Sequence, residues 1–380
     1  MTCLTPTLVG DGRKLSPIDY MVWKDQVNVL DQTRIFKLLA KGPRLDSYLA
    51  QLRKADKLDF ASWGGFAQNF ADRRIPFEHP SLTGFWNNQR AEGLFIPTFC
   101  AGSNGPYLPG SAIRGALHTA LMFSRWSEYT LRQISDKCQG ERLPRFPAES
   151  AEESAIGTEG LSRMRPFGVA DSAPVDHSNM KIFLVRTSTL VARGGRTELG
   201  WKQSPRGSVE ARRMDESTPV FCEMADAGTR FEGDWFERKF LSQPEVLRML
   251  RWREATAIKD LASAANASAG KLLGLHRQYA ANAGLRLLDQ NLDSLEKELA
   301  ETRERPGACL LCLGWGGGFL SKSANMNTDD DNYRKLLRLF PYYARAIQTG
   351  LPFPKTRRIV FLGGLPALMP GWVRVQFDLS

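Results

Sequence analysis

PYLPGSAIRGALHTAL, residues 106–121, and ACLLCLGWGGGFLSKS, residues 308–323, share one plan. In each, an extended run ends at a glycine-bearing corner with a basic residue just beyond. Glycines let backbone pass close to a partner and reach positive φ, which frees amide N–H groups to point at an anion. In the first corner, Pro109-Gly110 sets the entry to a helix and Ser111 is a good N-cap for AIRGALHTAL. Ile113, Ala116, Leu117 and Ala120 form its packed face. Arg114, His118 and Arg125 share an adjacent polar stripe. An arginine in a first helical turn opposes the helix dipole, and an anionic partner removes that objection.

The second corner fails both familiar nucleotide motifs. A Walker loop needs Gly-Lys-Ser/Thr, but Ser321 precedes Lys322. A dinucleotide fingerprint needs a third glycine where Phe319 stands. Two readings remain for Gly314, Gly316, Gly317, Gly318 and Lys322: a phosphate cradle, or a turn that lets a helix pack closely. His118 likewise reads either as a general base or as a histidine beside a phosphate track.

Composition bears on partners. The 380 residues carry 51 Lys+Arg against 41 Asp+Glu, a formal charge of +10 that suits nucleic acid, an anionic surface or acidic proteins. No apolar run of membrane-spanning length occurs, and the N-terminus lacks a secretory pattern. Six scattered cysteines suit reduced thiols in a cytoplasmic setting. Cys309 and Cys312 sit in a strand-like run, where residues three apart face opposite ways, and no second ligand pair accompanies them. No metal or other cofactor is expected.

Along the chain, residues 3–12 predict a strand and turn, and 27–42 a strand followed by an Asp31-capped helix. Strands are expected over 93–102, 167–175, 180–193, at 218–236, and over 358–362 and 372–379. Residues 149–159 carry four acids and no base, which predicts a mobile surface insertion. Residues 244–304 are mainly helical, with Leu285, Leu288, Leu292, Leu295 and Leu299 in one stripe. A basic helix is expected over 331–347. Residues 193–213 hold four glycines and six bases against two acids, with too few apolar residues to pack, and predict a protruding loop or hairpin.

YLPGSAIRGALHTAL resembles the PGSSxKGAxR signature of the RAMP superfamily, the RRM-related subunits of CRISPR effector complexes, and LGWGGGFLSKS resembles its glycine-rich loop. LTPTLVGDG, VADS (169–172), ADAGTRFEG (225–233) and TRRIVFLGGLPALMPGWVRVQF are similar to one branch, the fifth subunit of the Csm complex of type III-A systems. Together these stretches run from end to end. Arg114 departs from the more usual lysine but keeps the charge. The segment 186–213, with seven bases against two acids, resembles the thumb-like hairpin with which RAMP backbone subunits wedge apart guide-RNA bases. That resemblance makes Arg193, Arg196, Lys202 and Arg206 candidate RNA contacts, while Trp201 either stacks on a base or folds back on the domain.

The resemblance implies an α+β chain of two tandem ferredoxin-like (RRM-like) domains with helical insertions. The boundaries expected are 1–215, carrying the basic hairpin, and 216–380, carrying a helical insertion and the glycine loop. It implies a non-catalytic subunit holding the 3′ portion of the CRISPR guide RNA and supporting its maturation. Its partners would be that RNA, other Csm subunits (above all the backbone RAMP subunit) and host nucleases, with no membrane. RNA contacts are expected at Gly110, Ser111, Arg114, His118, Arg193, Arg196, Lys202, Gly314, Gly316, Gly317, Gly318 and Lys322. No RNP1-like aromatic pattern is present, so backbone amides, arginines and loops should carry binding. The competing reading is a metal-independent RAMP endoribonuclease processing repeat RNA, with His118 as base and Arg114 on the scissile phosphate.

Overall fold

MKIFLVRTSTLVAR forms the spine of the fold as the strand Met180–Arg193, buried at ten of its fourteen positions. Successive strand residues face opposite ways, so near-continuous burial means that both faces are covered. The computed structural model describes residues 1–54, 69–89, 91–140, 142–203 and 209–379; Arg206 lies outside the described residues.

Every strand pairing in the main sheet is antiparallel. One edge of the spine pairs with Val220–Ala225 and then, further along, with Arg196–Lys202. The other edge pairs with Thr356–Leu362, which continues to Leu365–Leu368. Glu210–Ala211 closes the far side against Arg196–Lys202. Strands from both sides of residue 215 therefore share one sheet, and one apolar core runs from Cys3 to Phe377.

A second sheet joins the two ends of the chain: Thr2–Cys3, then Trp372–Gln376, then Ala308–Cys312. Cys309 is fully buried in that last strand. The long helix Ile258–Ala283 lies against it. Buried Asn266 on this helix donates to the Ala308 carbonyl at 3.0 Å and accepts from the Leu310 N–H at 2.9 Å. Its side chain thus satisfies backbone groups on the free edge of the strand, which would otherwise be buried without partners. The next helix, Arg286–Arg303, packs through Leu288, Leu292, Leu295 and Leu299, all buried. Leu285, just ahead of its first turn, is buried too. The leucine stripe is core.

Residues 20–76 contribute a small antiparallel sheet of Tyr20–Trp23, Gln26–Leu30 and Ala71–Pro76. Helix Gln32–Leu39 follows the second strand and is capped by Asp31, as expected. Its own core is Met21, Leu30, Ile35, Leu39, Tyr48 and Phe70. Arg73 ties this lobe to the main sheet by a two-pronged ion pair with Glu223, a fully buried residue of the strand Val220–Ala225.

Several expectations need correction. Residues 149–159 are not a mobile insertion: Glu149–Ile156 is a helix whose Ala151 and Ile156 are buried. The basic helix over 331–347 is two helices, Asp331–Arg338 and Pro341–Gln348, because proline cannot continue the first. The strand over 93–102 is two short pieces, Ile96–Pro97 and Ala101–Gly102, and that over 167–175 shrinks to Phe167–Val169.

Candidate nucleic-acid interface

The first corner opens the helix Gly110–Ser124, with Pro109 in the N-cap position. Ser111 lies one residue inside the helix, exposed, and its side chain does not cap. The cap comes from elsewhere. The Gly110 N–H donates to the Asp171 carboxylate at 2.8 Å, and the Leu108 N–H to Ser172 Oγ at 2.9 Å. The VADS stretch therefore supplies the negative charge that this helix N-terminus favours. A Cβ on Gly110 would stand 2.3 Å from the Val169 carbonyl oxygen and 2.5 Å from that of Ala170. Close packing of protein on protein explains this glycine.

Arg114 is exposed but engaged: Nη2 donates to the Met164 carbonyl at 3.1 Å. His118 Nε2 lies 3.0 Å from Glu152 Oε1 on the acidic helix. Arg125 Nη1 donates to the Ala155 carbonyl at 2.6 Å. The polar stripe read from the sequence exists, and it faces neighbouring segments of the same chain.

The second corner differs. Gly314, at φ 71°, would place a Cβ 2.0 Å from the Leu8 carbonyl oxygen, which already accepts from the Trp315 N–H at 2.7 Å. That glycine is structural. Beyond it, the N–H groups of Gly316, Gly317 and Gly318 donate to no acceptor among the described residues. Gly318 is exposed, at φ 73°, with open space where a side chain would go. Gly317 does not need positive φ; its Cβ would strike Ser321 Oγ at 2.3 Å and Cys312 Sγ at 2.9 Å.

These three glycines, Gly316 and Gly317 buried and Gly318 exposed, border a cleft of about 890 Å³. Lys202, Lys322, Lys355, Arg357 and Arg358 line it, and no acidic residue among the described residues does. Its other wall is aromatic, with Phe319, Tyr342, Tyr343 and Phe353. Just behind, Glu210 accepts from Lys202 at 3.1 Å and Lys355 at 2.8 Å. Burial disfavours ionisation of Glu210, but the two ammonium groups outweigh it and hold its carboxyl below the usual range. Arg358 lies over the Trp315 ring, 4.6 Å from its centroid. Lys322 is exposed and makes no ion pair among the described residues.

The structure thus brings Lys202 to the glycine loop and Lys322. It does not bring Arg193 and Arg196 there. These two face each other across the hairpin tip, joined by Gly194 and Gly195, both at positive φ. Lys202 sits six residues further down that strand, about 20 Å away at 3.3 Å per residue. Trp201 is folded back into the core, edge-on to Phe361. The turn Leu320–Lys322 packs against the Gly110–Ser124 helix, so the two corners are neighbours, but the first contributes nothing to the cleft lining.

Lys355, Arg357, Arg358, Tyr342 and Tyr343 escaped the sequence reading. The signal for the arginines lies in TRRIV: adjacent strand residues face opposite ways, so one of the pair must point inward. Arg357 is the inward one. Its Nε donates to His276 Nδ1 at 3.2 Å, its Nη1 to the Pro354 carbonyl at 2.7 Å, and it lies 4.6 Å from the centre of the Tyr279 ring.

Burial, reinforced by Arg357, drives the imidazole of His276 well below its ordinary range and keeps it neutral at pH 7. The unfolded chain takes up a proton there below about pH 6.5 while the folded chain does not. Stability should therefore fall with pH from about 6.5 downward, by up to about 1.4 kcal/mol per unit. Urea titrations should show the loss between pH 6 and 5 shrinking by about 1 kcal/mol in His276→Gln. An unchanged slope would mean that His276 titrates alike in both states.

No protein-family model matches this chain, and no curated protein matches it in sequence. Its shape does have counterparts: the fold is that of a subunit of type III-A Csm complexes. A chain of the cryo-EM structure of a Csm–crRNA–target RNA ternary complex from a type III-A CRISPR-Cas system superposes with a TM-score of 0.68 at 17% identity, covering 98% of each chain. The crystal structure of T. onnurineus Csm5 gives 0.61 at 16% identity, covering 98% of this chain and 99% of that one. The fold is Csm5-like along its whole length.

Proposed function

We propose that this chain is a non-catalytic RNA-binding subunit of a type III-A CRISPR ribonucleoprotein, where it holds the 3′ portion of the guide RNA and supports its maturation. The observation that carries the reading is the cleft. Five basic side chains and three glycines border one concave surface; among the described residues the glycine amides find no acceptor and the lining holds no acidic residue. Single-stranded RNA offers what these groups need: closely spaced phosphates, and bases free of a duplex. Arg193 and Arg196 would form a second contact at the hairpin tip, where Arg193 already pairs with Glu198 at 3.5 Å and Arg196 is the more open of the two charges. Gly110, Ser111, Arg114 and His118 would approach the RNA only from the adjoining helix, since protein groups already engage three of them.

The other Csm subunits, above all the backbone RAMP subunit, are the partners in this reading, with host nucleases recruited for trimming. Two tandem ferredoxin-like units, 1–215 and 216–380, belong to the same proposal. The shared sheet means that they would unfold as one body. Co-expression with the other Csm subunits, followed by purification and sequencing of bound RNA, tests the role. Guide RNAs with defined 3′ ends in the parent complex, and ragged or extended ends without this chain, are expected. Identical 3′ ends with and without it would sink the proposal. The endoribonuclease alternative predicts specific cuts in labelled repeat RNA, in chelator, that vanish in His118→Ala; no such cuts are expected.

A further inference from the structure

We propose that the cleft between the glycine loop and the Pro341–Gln348 helix is a pocket for a single nucleotide turned out of its strand. Its base lies on Tyr342 and Tyr343, and its phosphate on the amides of Gly316–Gly318 with Lys322 and Arg358. This rests on the RNA-binding reading and adds to it a base-holding site.

The two walls have opposite chemistry. On one side, Tyr342 is 86% exposed, with its ring edge-on to that of Tyr343 at 5.1 Å. Tyr343 in turn packs on Phe319 at 5.3 Å and Phe353 at 5.9 Å, so the outer ring is braced by an inner aromatic cluster. Folding gains almost nothing from so exposed a ring, whereas a base stacking on it would remove a large apolar surface from water.

The other side is cationic, and Arg357 makes it unusual. This guanidinium is 8% exposed and lines the cleft, yet no carboxylate pairs with it among the described residues. Its side-chain partner His276 is neutral, and its other acceptors are backbone carbonyls. Buried charges are ordinarily paired, and Arg73 with Glu223 shows that rule kept elsewhere in this fold. Arg186, also buried without a carboxylate, spends its guanidinium on Met214 and Ser217 and lies outside the cleft. A phosphate in the cleft would give Arg357 the counter-charge it lacks.

Size and lining narrow the ligand. The volume falls within the range of ligand-sized pockets, about 300–1,000 Å³. A duplex keeps its bases stacked inside and cannot present one to Tyr342. Among the described residues the lining contains no Asn, Gln, Asp or Glu to read a base edge, its lysines and arginines serve the phosphate, and the Thr187 and Thr356 hydroxyls can either donate or accept. The pocket should therefore accept any base while requiring that a base be present.

The test compares a short oligouridylate with an abasic ribose-phosphate oligomer of equal length, each titrated into the full-length parent, Tyr342→Ala and Tyr342→Phe. Thermal unfolding serves as the fold control. The parent should bind the abasic oligomer roughly tenfold more weakly than oligouridylate, the scale of one base–aromatic stack. Tyr342→Ala should lose about that factor for oligouridylate and nothing for the abasic oligomer, while Tyr342→Phe keeps the parent's preference. If the parent binds both oligomers in a salt-dependent way and Tyr342→Ala leaves their ratio unchanged, the pocket is wrong and the RNA-binding reading stands. If the parent binds neither, both fall.

Discussion

A Gly110→Val chain is expected to unfold far below the parent's temperature, while Ser111→Ala, one residue on, unfolds at it. The contrast follows from what each position meets. A Cβ at 110 would sit inside contact distance of two carbonyl oxygens, those of Val169 and Ala170, and neither is a flexible side-chain end. Both belong to backbone held by its own bonds: the Ala170 N–H donates to the Asp234 carbonyl at 2.9 Å, and the Ser172 N–H to the Leu108 carbonyl at 3.0 Å. Relief requires moving the helix away from this segment. That would break the Gly110–Asp171 cap, worth about 1 kcal/mol, and open the apolar contacts of Ile113 and Leu117. Overpacking of this kind typically costs about 1–3 kcal/mol, and backbone displacement takes the total beyond it. Against a marginal stability of about 5–15 kcal/mol, a loss of that size removes a large share of what holds the fold. Ser111 caps nothing and is exposed, so its loss should shift stability by no more than about 0.5 kcal/mol. Circular dichroism and thermal unfolding of both variants decide the matter. A Gly110→Val protein as stable as the parent would show that the corner yields, and that its glycine answers some other need.

Gly110 also shows what sequence alone can and cannot resolve. PGSAIRG announces a helix start, and the helix is there. The motif does not say which anion the helix N-terminus faces, because the capping carboxylate comes from Asp171, 61 residues away. Local patterns carried the spine strand, the Asp31-capped helix and the leucine stripe, since each is written in periodicity or a cap. The pairing of that spine with Thr356–Leu362 is non-local, and no pattern within either strand encodes it. The acidic stretch 149–159 misled because charge density hid two buried residues, Ala151 and Ile156, that are enough to dock one short helix. The cleft was half legible. Its glycines and Lys322 are contiguous in sequence, but Lys202, Arg358 and Tyr342 arrive from three separate elements and meet only through sheet pairing and a proline break.

The second large effect is expected in the cleft itself. The test protein replaces Lys202, Lys322, Lys355 and Arg358 with methionine and Glu210 with glutamine. Methionine keeps much of the apolar stem of each side chain while removing its charge. Glutamine removes the carboxylate that would otherwise remain half-buried after both of its ammonium partners had gone. If each of the four cations neutralises one phosphate, single-strand binding loses about 0.7 of salt slope per contact, close to 3 in all. Raising salt from 50 to 200 mM should then weaken the parent by about fiftyfold more than the variant. At the lower salt concentration the variant should bind far more weakly, and the two should converge as salt rises. Sequence changes in the RNA should alter neither curve much, because phosphate contacts carry no base information. Arg193→Met with Arg196→Met, at the hairpin tip about 20 Å from Lys202, serves as the comparison. These changes should remove a smaller share of the slope, about 1.4 for two contacts. A quintuple variant that folds and keeps the parent's salt slope would move the RNA path off the cleft. The unpaired amides of Gly316–Gly318 and the lone guanidinium of Arg357 would then need a different anion. A slope that collapses in the cleft variant and persists in the tip variant would place the principal phosphate track between the glycine loop and the Thr356–Leu362 strand.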